Sequence, residues 1–203
     1  MKKIIAIDID DVIADSTDAL RLVVNERLGV DLQVEHYRIP GKYWGYYEQV
    51  WIQHNIADKL SMEELDREFI VQDQSHIMPK TGAIETLRRL NESYDIVLVT
   101  ARDQRAEVVT RRWLNQHLPS IYKDLHIIGN YKTTAKPRSK GQVCRDIGAS
   151  WLIDDNPQHC LSAIEYGVDG LLFGEYGWHH GAPDHLIVCK DWTAIEDYFD
   201  GKS

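Results

Sequence analysis

The 203-residue sequence predicts an α/β protein: a parallel sheet flanked by helices, with a small helical insert after the first strand. Three observations point there. Short β-branched runs recur along the chain, and amphipathic helix patterns fall between most of them. One early stretch, residues 17–76, breaks that alternation with no convincing strand.

The first strand is KIIAI, residues 3–7. Leu20, Val23, Val24 and Leu28 follow at helical spacing, with Asp15 or Ser16 placed to cap the start and Gly29 to stop the helix. An aromatic-rich segment, YRIPGKYWGYYEQVW, comes next. SMEELDREF opens another helix, with Ser61 and Glu64 in capping-box spacing. Pro79 and Gly82 mark the return to the alternating pattern. Ile84, Leu87 and Leu90 define a helix before the strand DIVLV, and Val108, Val109, Trp113 and Leu114 define one after it. LHIIG, SWLI, GLLF and HLIVC supply the remaining strands. The expected division is a core of residues 1–16 and 77–203 around a helical cap of residues 17–76.

The formal net charge of −9 argues against a broad basic surface for duplex nucleic acid. A small phosphorylated ligand stays compatible, because a bound cation reverses the local field. Cys144, Cys160 and Cys189 are scattered and form no CxxC pair, as expected of a reduced intracellular protein. Asp8 cuts short the apolar run after Lys2-Lys3, and no other run has the length of a membrane span. A cytoplasmic location without membrane contact is therefore expected.

Chemistry concentrates at predicted strand ends. In KKIIAIDIDDVIADS, Asp8 and Asp10 are two residues apart, so continued extended geometry would present both carboxylates at the strand's carboxyl end. Open α/β sheets bind ligands at that edge. YDIVLVTAR ends a second strand with Thr100, Ala101 and Arg102, where a hydroxyl and backbone N–H groups at a helix start suit a phosphate. SWLIDDNP ends a third with Asp154 and Asp155. Taken singly, each has an ordinary explanation as a turn or a cap. Together they form an oxygen-rich cluster without His or Cys, which suits Mg²⁺ and would offset the repulsion among the opening aspartates. Lys140 starts a helical pattern with Val143, Cys144 and Ile147 and is the favoured phosphate cation over Lys132 and Lys136 in a polar loop.

DIDDV after a first strand, VTAR at a second, a downstream lysine and LIDD at a later strand resemble the four motifs of the haloacid dehalogenase (HAD) superfamily, in order and spacing. The insert sits where that superfamily places a C1 cap. DIDDVIAD and LLFGEYGW look more specifically like its 5′(3′)-deoxyribonucleotidase branch, although that branch usually has Gly where Asp11 stands. The resemblance implies a HAD-like Rossmannoid fold and an aspartyl-phosphate mechanism, with Asp8 as nucleophile and Asp10 as acid and base. Mg²⁺ would be held by Asp8, the Asp10 carbonyl, and Asp154 or Asp155. Thr100, Lys140 and backbone N–H groups would hold the phosphoryl oxygens. It favours a Mg²⁺-dependent phosphomonoesterase for (deoxy)nucleoside monophosphates. Alternatives are a phosphatase for another small ester or a nucleic-acid 3′-phosphate, and a non-catalytic phosphate binder.

Tyr43, Trp44, Tyr46, Tyr47 and Trp51 fall within nine residues. Most of these rings are expected to form the insert's own core, because a short helical unit needs their area. One or two at its mouth are expected to meet substrate, with Tyr43, Trp44 and Tyr47 the candidates and His76 a polar one near the hinge. Gln72 and Gln74 lie in the same hinge stretch. His179-His180 is expected in a surface loop, since adjacent histidines in a strand point apart and no third ligand is near.

Overall fold

The computed structural model describes residues 2–129 and 138–202. Six parallel strands form one sheet in the order β3-β2-β1-β4-β5-β6: β1 (Ile4–Ile7), β2 (Asp95–Asp103), β3 (Asp124–Gly129), β4 (Ala149–Asp154), β5 (Asp169–Phe173) and β6 (Ile187–Cys189). All six predicted strands are present. β1 lies at the switch point, where the order reverses, with Ile7 opposite Leu98 of β2 and Ile153 of β4. Its successive residues feed opposite faces. Ile5 and Ile7 join the larger core, Ala6 the smaller one, and all three are fully buried. The ladder runs one residue past β1, because the Asp8 N–H donates to the Ile153 carbonyl at 3.0 Å. That bond fixes Asp8 at the sheet's carboxyl edge.

Helices α4 (Ala83–Ser93), α5 (Glu107–His117), α6 (Lys140–Asp146), α7 (Pro157–Glu165) and α8 (Trp192–Asp200) cover the sheet. Between β1 and α4 come α1 (Ser16–Leu28), α2 (Tyr46–Gln53) and α3 (Met62–Val71), with two short 3₁₀ turns. No strand interrupts this stretch among the described residues. Val24, Leu32, Tyr37, Tyr46, Val50, Trp51, Ile56 and Leu65 form a separate apolar cluster. Trp178, from the segment after β5, completes it. The same segment seats the insert: Gly41 N–H donates to the Gly177 carbonyl, and a Cβ at Gly177 would lie 2.0 Å from the Ile39 carbonyl oxygen.

Two local expectations need correction. Asp15 occupies the N-cap of α1 but makes no capping bond; its carboxylate pairs with Lys80 at 2.7 Å. Asp11 caps instead, accepting from the Thr17 N–H at 3.0 Å and the Thr17 hydroxyl at 2.6 Å. Asp11 holds a left-handed φ of 55°, a conformation that favours glycine, and these bonds help stabilise it there. The second correction concerns Thr100. β2 runs on to Asp103 and α5 begins at Glu107, so Thr100 does not stand at a helix start.

Candidate active site

Three carboxylates meet where β1 and β4 end. Oxygens of Asp8, Asp154 and Asp155 lie within 4.8 Å of one another, and all three residues are buried. Lys140, at the first position of α6, places its Nζ 2.8 Å from Asp8 Oδ2 and 2.6 Å from Asp154 Oδ2. One buried cation thus contacts two of the three buried acids. Asp154 is otherwise satisfied, with Oδ1 accepting from the Asn156 N–H and from His159 Nδ1, each at 3.0 Å. Asp8 Oδ1 and Asp155 Oδ1 are buried without a hydrogen-bond partner.

The protonation pattern follows from these contacts. Burial pushes the Asp8 carboxyl up to about 6, against the pull of Lys140. Burial also drives Asp155 well above the usual carboxylate range, and the Asp154 charge adds to it. At Asp154 burial acts the same way, but Lys140 and His159 outweigh it and hold the group at about 2. Two orphaned acid oxygens in an all-oxygen cluster suit a hard divalent cation. Asp155 fits a direct ligand better than Asp154, whose oxygens are already engaged.

Asp10 does not point into that triad. Arg102 holds it in a bidentate pair, Nε to Oδ2 at 2.8 Å and Nη2 to Oδ1 at 2.7 Å, and the Ser16 hydroxyl donates to Oδ1 at 2.5 Å. Burial raises its carboxyl, but the Arg102 charge and hydrogen bonds prevail and the group sits below its ordinary value. Arg102 is therefore not available to a phosphate: its side chain serves Asp10, and its backbone N–H donates to Thr100 Oγ1 at 3.2 Å. Thr100 is buried, while Ala101 is exposed at the strand's end. Lys132 and Lys136 lie outside the described residues.

The aromatic segment divides. Tyr46 and Trp51 are buried in the insert, the former's hydroxyl 2.8 Å from two carbonyls and the latter's indole N–H on Tyr37. Tyr43 and Tyr47 are partly buried against the insert's apolar cluster, with the Tyr43 ring 6.4 Å from that of His159. Burial raises both hydroxyls well above their usual range; after burial, Asp155 and Asp8 contribute most at Tyr43, and Asp11 most at Tyr47. Tyr47 also bonds Thr17 at 2.9 Å. Trp44 is 77% exposed and touches Tyr43 edge to face. His76 is exposed, with its ring on the Asp73 carbonyl, and has no contact with the acids.

Several residues at the site escaped the sequence reading. Trp178 Nε1 and His179 Nε2 both reach the Asp155 carbonyl, at 3.1 and 2.7 Å, so His179 is partly buried and not in the expected surface loop. Only His180 is exposed as expected. The Tyr176 hydroxyl donates to the Asp11 carbonyl and its ring stacks on Trp178 at 4.4 Å. The motif GEYGWHH carried the aromatic signal for these contacts, but their acceptors are backbone carbonyls, which leave no mark in sequence.

Known proteins resemble this chain in sequence and in fold. The profile of the family described as 5′ nucleotidase, deoxy (pyrimidine), cytosolic type C protein (NT5C) matches residues 2–168. Proteins from two Staphylococcus epidermidis strains, each named "Putative 5′(3′)-deoxyribonucleotidase", are 30% identical over 96% of this chain and 94% of their own. Among solved structures, the D,D-heptose 1,7-bisphosphate phosphatase of Bordetella bronchiseptica, complexed with magnesium and phosphate, aligns at a TM-score of 0.58 and 14% identity, covering 99% of both chains. A haloacid dehalogenase-like hydrolase from Xanthomonas campestris aligns at 0.60 and 13% identity over 98% of this chain and 95% of its own. At these identities the two structures share the fold.

Proposed function

Given that the chain belongs to the deoxy (pyrimidine) cytosolic type C 5′ nucleotidase family, we propose that it is a Mg²⁺-dependent phosphomonoesterase that removes phosphate from (deoxy)nucleoside monophosphates. The observation that carries this is the buried triad of Asp8, Asp154 and Asp155, with two partnerless oxygens beside Lys140. Asp8 and Asp155 would hold the cation, which when bound supplies positive charge for the phosphoryl oxygens.

The chain's own residues do the rest. Asp8 attacks phosphorus, so an Asp8–phosphorus bond forms as the bond to the leaving oxygen breaks. Arg102 holds Asp10 as a carboxylate in this structure, so Asp10 first takes up a proton and then gives it to that oxygen. As a carboxylate it then takes a proton from the water that cleaves the aspartyl-phosphate and frees Asp8. Lys140 holds Asp8 in place and, with the Thr100 hydroxyl and nearby N–H groups, faces the phosphoryl oxygens as their charge shifts. Residues 17–76 act as the cap, with Tyr43 and Tyr47 toward the substrate.

A panel of nucleoside 5′- and 3′-monophosphates, sugar phosphates and 3′-phosphorylated oligonucleotides, assayed with Mg²⁺ and after chelation, tests the proposal. Nucleotide turnover that vanishes with chelator and returns with Mg²⁺ supports it. Preference for a sugar phosphate or an oligonucleotide end would replace the substrate. Turnover unaffected by chelation would remove the metal.

A further inference from the structure

We infer that Arg102 is a positioning residue that aims the Asp10 carboxylate and ties it to both segments through which the insert joins the sheet. The inference rests on the reading of Asp10 as proton donor and acceptor, and deepens it.

The Arg102 side chain is 2% exposed, whereas that of Asp10 is 31% exposed. The cation is thus buried behind a carboxylate that is still partly open to solvent. A buried guanidinium costs free energy unless its donors are filled, and here all three nitrogens are engaged. Nε and Nη2 fork onto Asp10; Nη1 donates to Gln74 Oε1 at 2.8 Å and to Thr110 Oγ1 at 3.0 Å. The planar fork fixes the plane of the carboxylate as well as its position, which a lysine ammonium cannot do.

Two partners of this pair, Ser16 and Gln74, sit at the two crossings of the insert. Ser16, which donates to Asp10 Oδ1, is the first residue of α1, where the chain leaves the sheet. Gln74 lies on the return path, and its Nε2 donates to the Phe69 carbonyl in α3 at 3.1 Å. The Phe69 ring lies 5.0 Å from the Arg102 guanidinium carbon. A shift of the insert would therefore move both the Ser16 donor to Asp10 and the Gln74 acceptor that holds Arg102. The seating of the insert and the aim of the acid form one linked unit, with Arg102 at its centre.

The test separates proton transfer from folding by the choice of leaving group. A nucleoside monophosphate expels an alkoxide that needs a proton, whereas an activated aryl phosphate expels a phenolate that does not. For Arg102→Lys, kcat on the nucleotide should fall about a hundredfold, within the range of general acid catalysis, and on the aryl ester less than about tenfold. KM should change by less than about threefold for either, because the residue does not touch substrate. Equal losses on both substrates, or a loss confined to KM, would overturn the inference. Asp10→Asn is the control. Equal losses there remove the proton-donor reading itself; selective loss there with equal loss in Arg102→Lys removes only the role of Arg102. If Arg102→Lys melts below the assay temperature, Ser16→Ala and Gln74→Leu decide: a selective loss of about three- to tenfold in both supports the linkage, and unselective rates in either overturn it.

Discussion

The aromatic insert and the acidic sheet edge solve opposite problems within a few ångströms of each other. In the insert, Tyr46 and Trp51 are buried and their polar atoms are satisfied inside it. At the edge, Asp8 and Asp155 are equally buried yet each keeps an oxygen without a partner. Satisfied burial is what stability requires; orphaned burial adds cost to the folded state and marks a place for a ligand. Tyr43 and Tyr47 lie on the boundary: both pack on the insert's cluster, while Tyr43 neighbours His159 and Tyr47 bonds Thr17, itself a donor to Asp11. If the contrast is sound, substitutions on the two sides should fail in different ways.

The largest effect belongs to the edge. Asp8→Asn is nearly isosteric but removes the nucleophile, so turnover of an activated aryl phosphate should fall by about four orders of magnitude or more. The fold should persist, since one acid in a cluster of three loses its charge. Single-turnover assays and a melting curve check both halves; near-wild-type rates would end the covalent mechanism. The insert should respond in reverse. Trp51→Ala empties a fully buried site and should destabilise the protein by about 3–5 kcal/mol. Below its lowered Tm, the surviving folded enzyme should keep its substrate preference, and a changed preference would move Trp51 to the binding surface.

The same contrast explains what could be read in the sequence. Strands and acidic strand ends were legible because β1 is buried on both faces and its apolar run stops where the chemistry begins. Lys140 was legible from the helix it starts. The task of Arg102 was not, because its partner Asp10 is 92 residues away and the run TAR reads as a helix start where β2 in fact continues. The capping role of Asp11 was hidden for a simpler reason: Asp15 stands nearer the helix start and looks like the cap. In the aromatic segment, composition announced rings but not their directions. Only packing separates Tyr46 and Trp51 from Tyr43 and Tyr47.

The boundary itself is tested by Tyr43→Ala. A ring that stacks on a base should cost about 1–3 kcal/mol in transition-state binding, roughly tenfold to more than a hundredfold in kcat/KM for nucleotides. A small aryl phosphate reaches Asp8 without a base platform and should lose less. Tyr47→Phe, which removes only the hydroxyl bonded to Thr17, should lower Tm slightly and leave the ratio of nucleotide to aryl rates near that of the wild type. If Tyr43→Ala instead lowers Tm as Trp51→Ala does and spares the preference, the ring belongs with the insert's core.

The smallest effect lies in the pH dependence of stability without metal. Asp8, raised to about 6, and Asp155, driven by burial well above the usual carboxylate range, bind protons more tightly folded than unfolded. Their contribution is therefore full below the unfolded value near 4 and is lost as pH rises through the folded values. Asp154, held at about 2, behaves oppositely: its contribution is present above about 4 and is lost as pH falls toward 2. Chelator-treated protein should thus lose stability as pH climbs from about 4 through 6, and Mg²⁺ should restore it at pH 7 by binding the carboxylate forms. Asp155→Asn takes out of the cluster an acid whose ionised form burial disfavours. It should flatten the metal-free loss of stability with rising pH and abolish most of the Mg²⁺ effect. Trp51→Phe in the insert should leave the shape of the pH curve unchanged, since it alters no titrating group. A flat metal-free curve between pH 4 and 7, or Mg²⁺ stabilising Asp155→Asn as strongly as the wild type, would mean that the orphaned oxygens carry no strain and that the edge is no less satisfied than the insert.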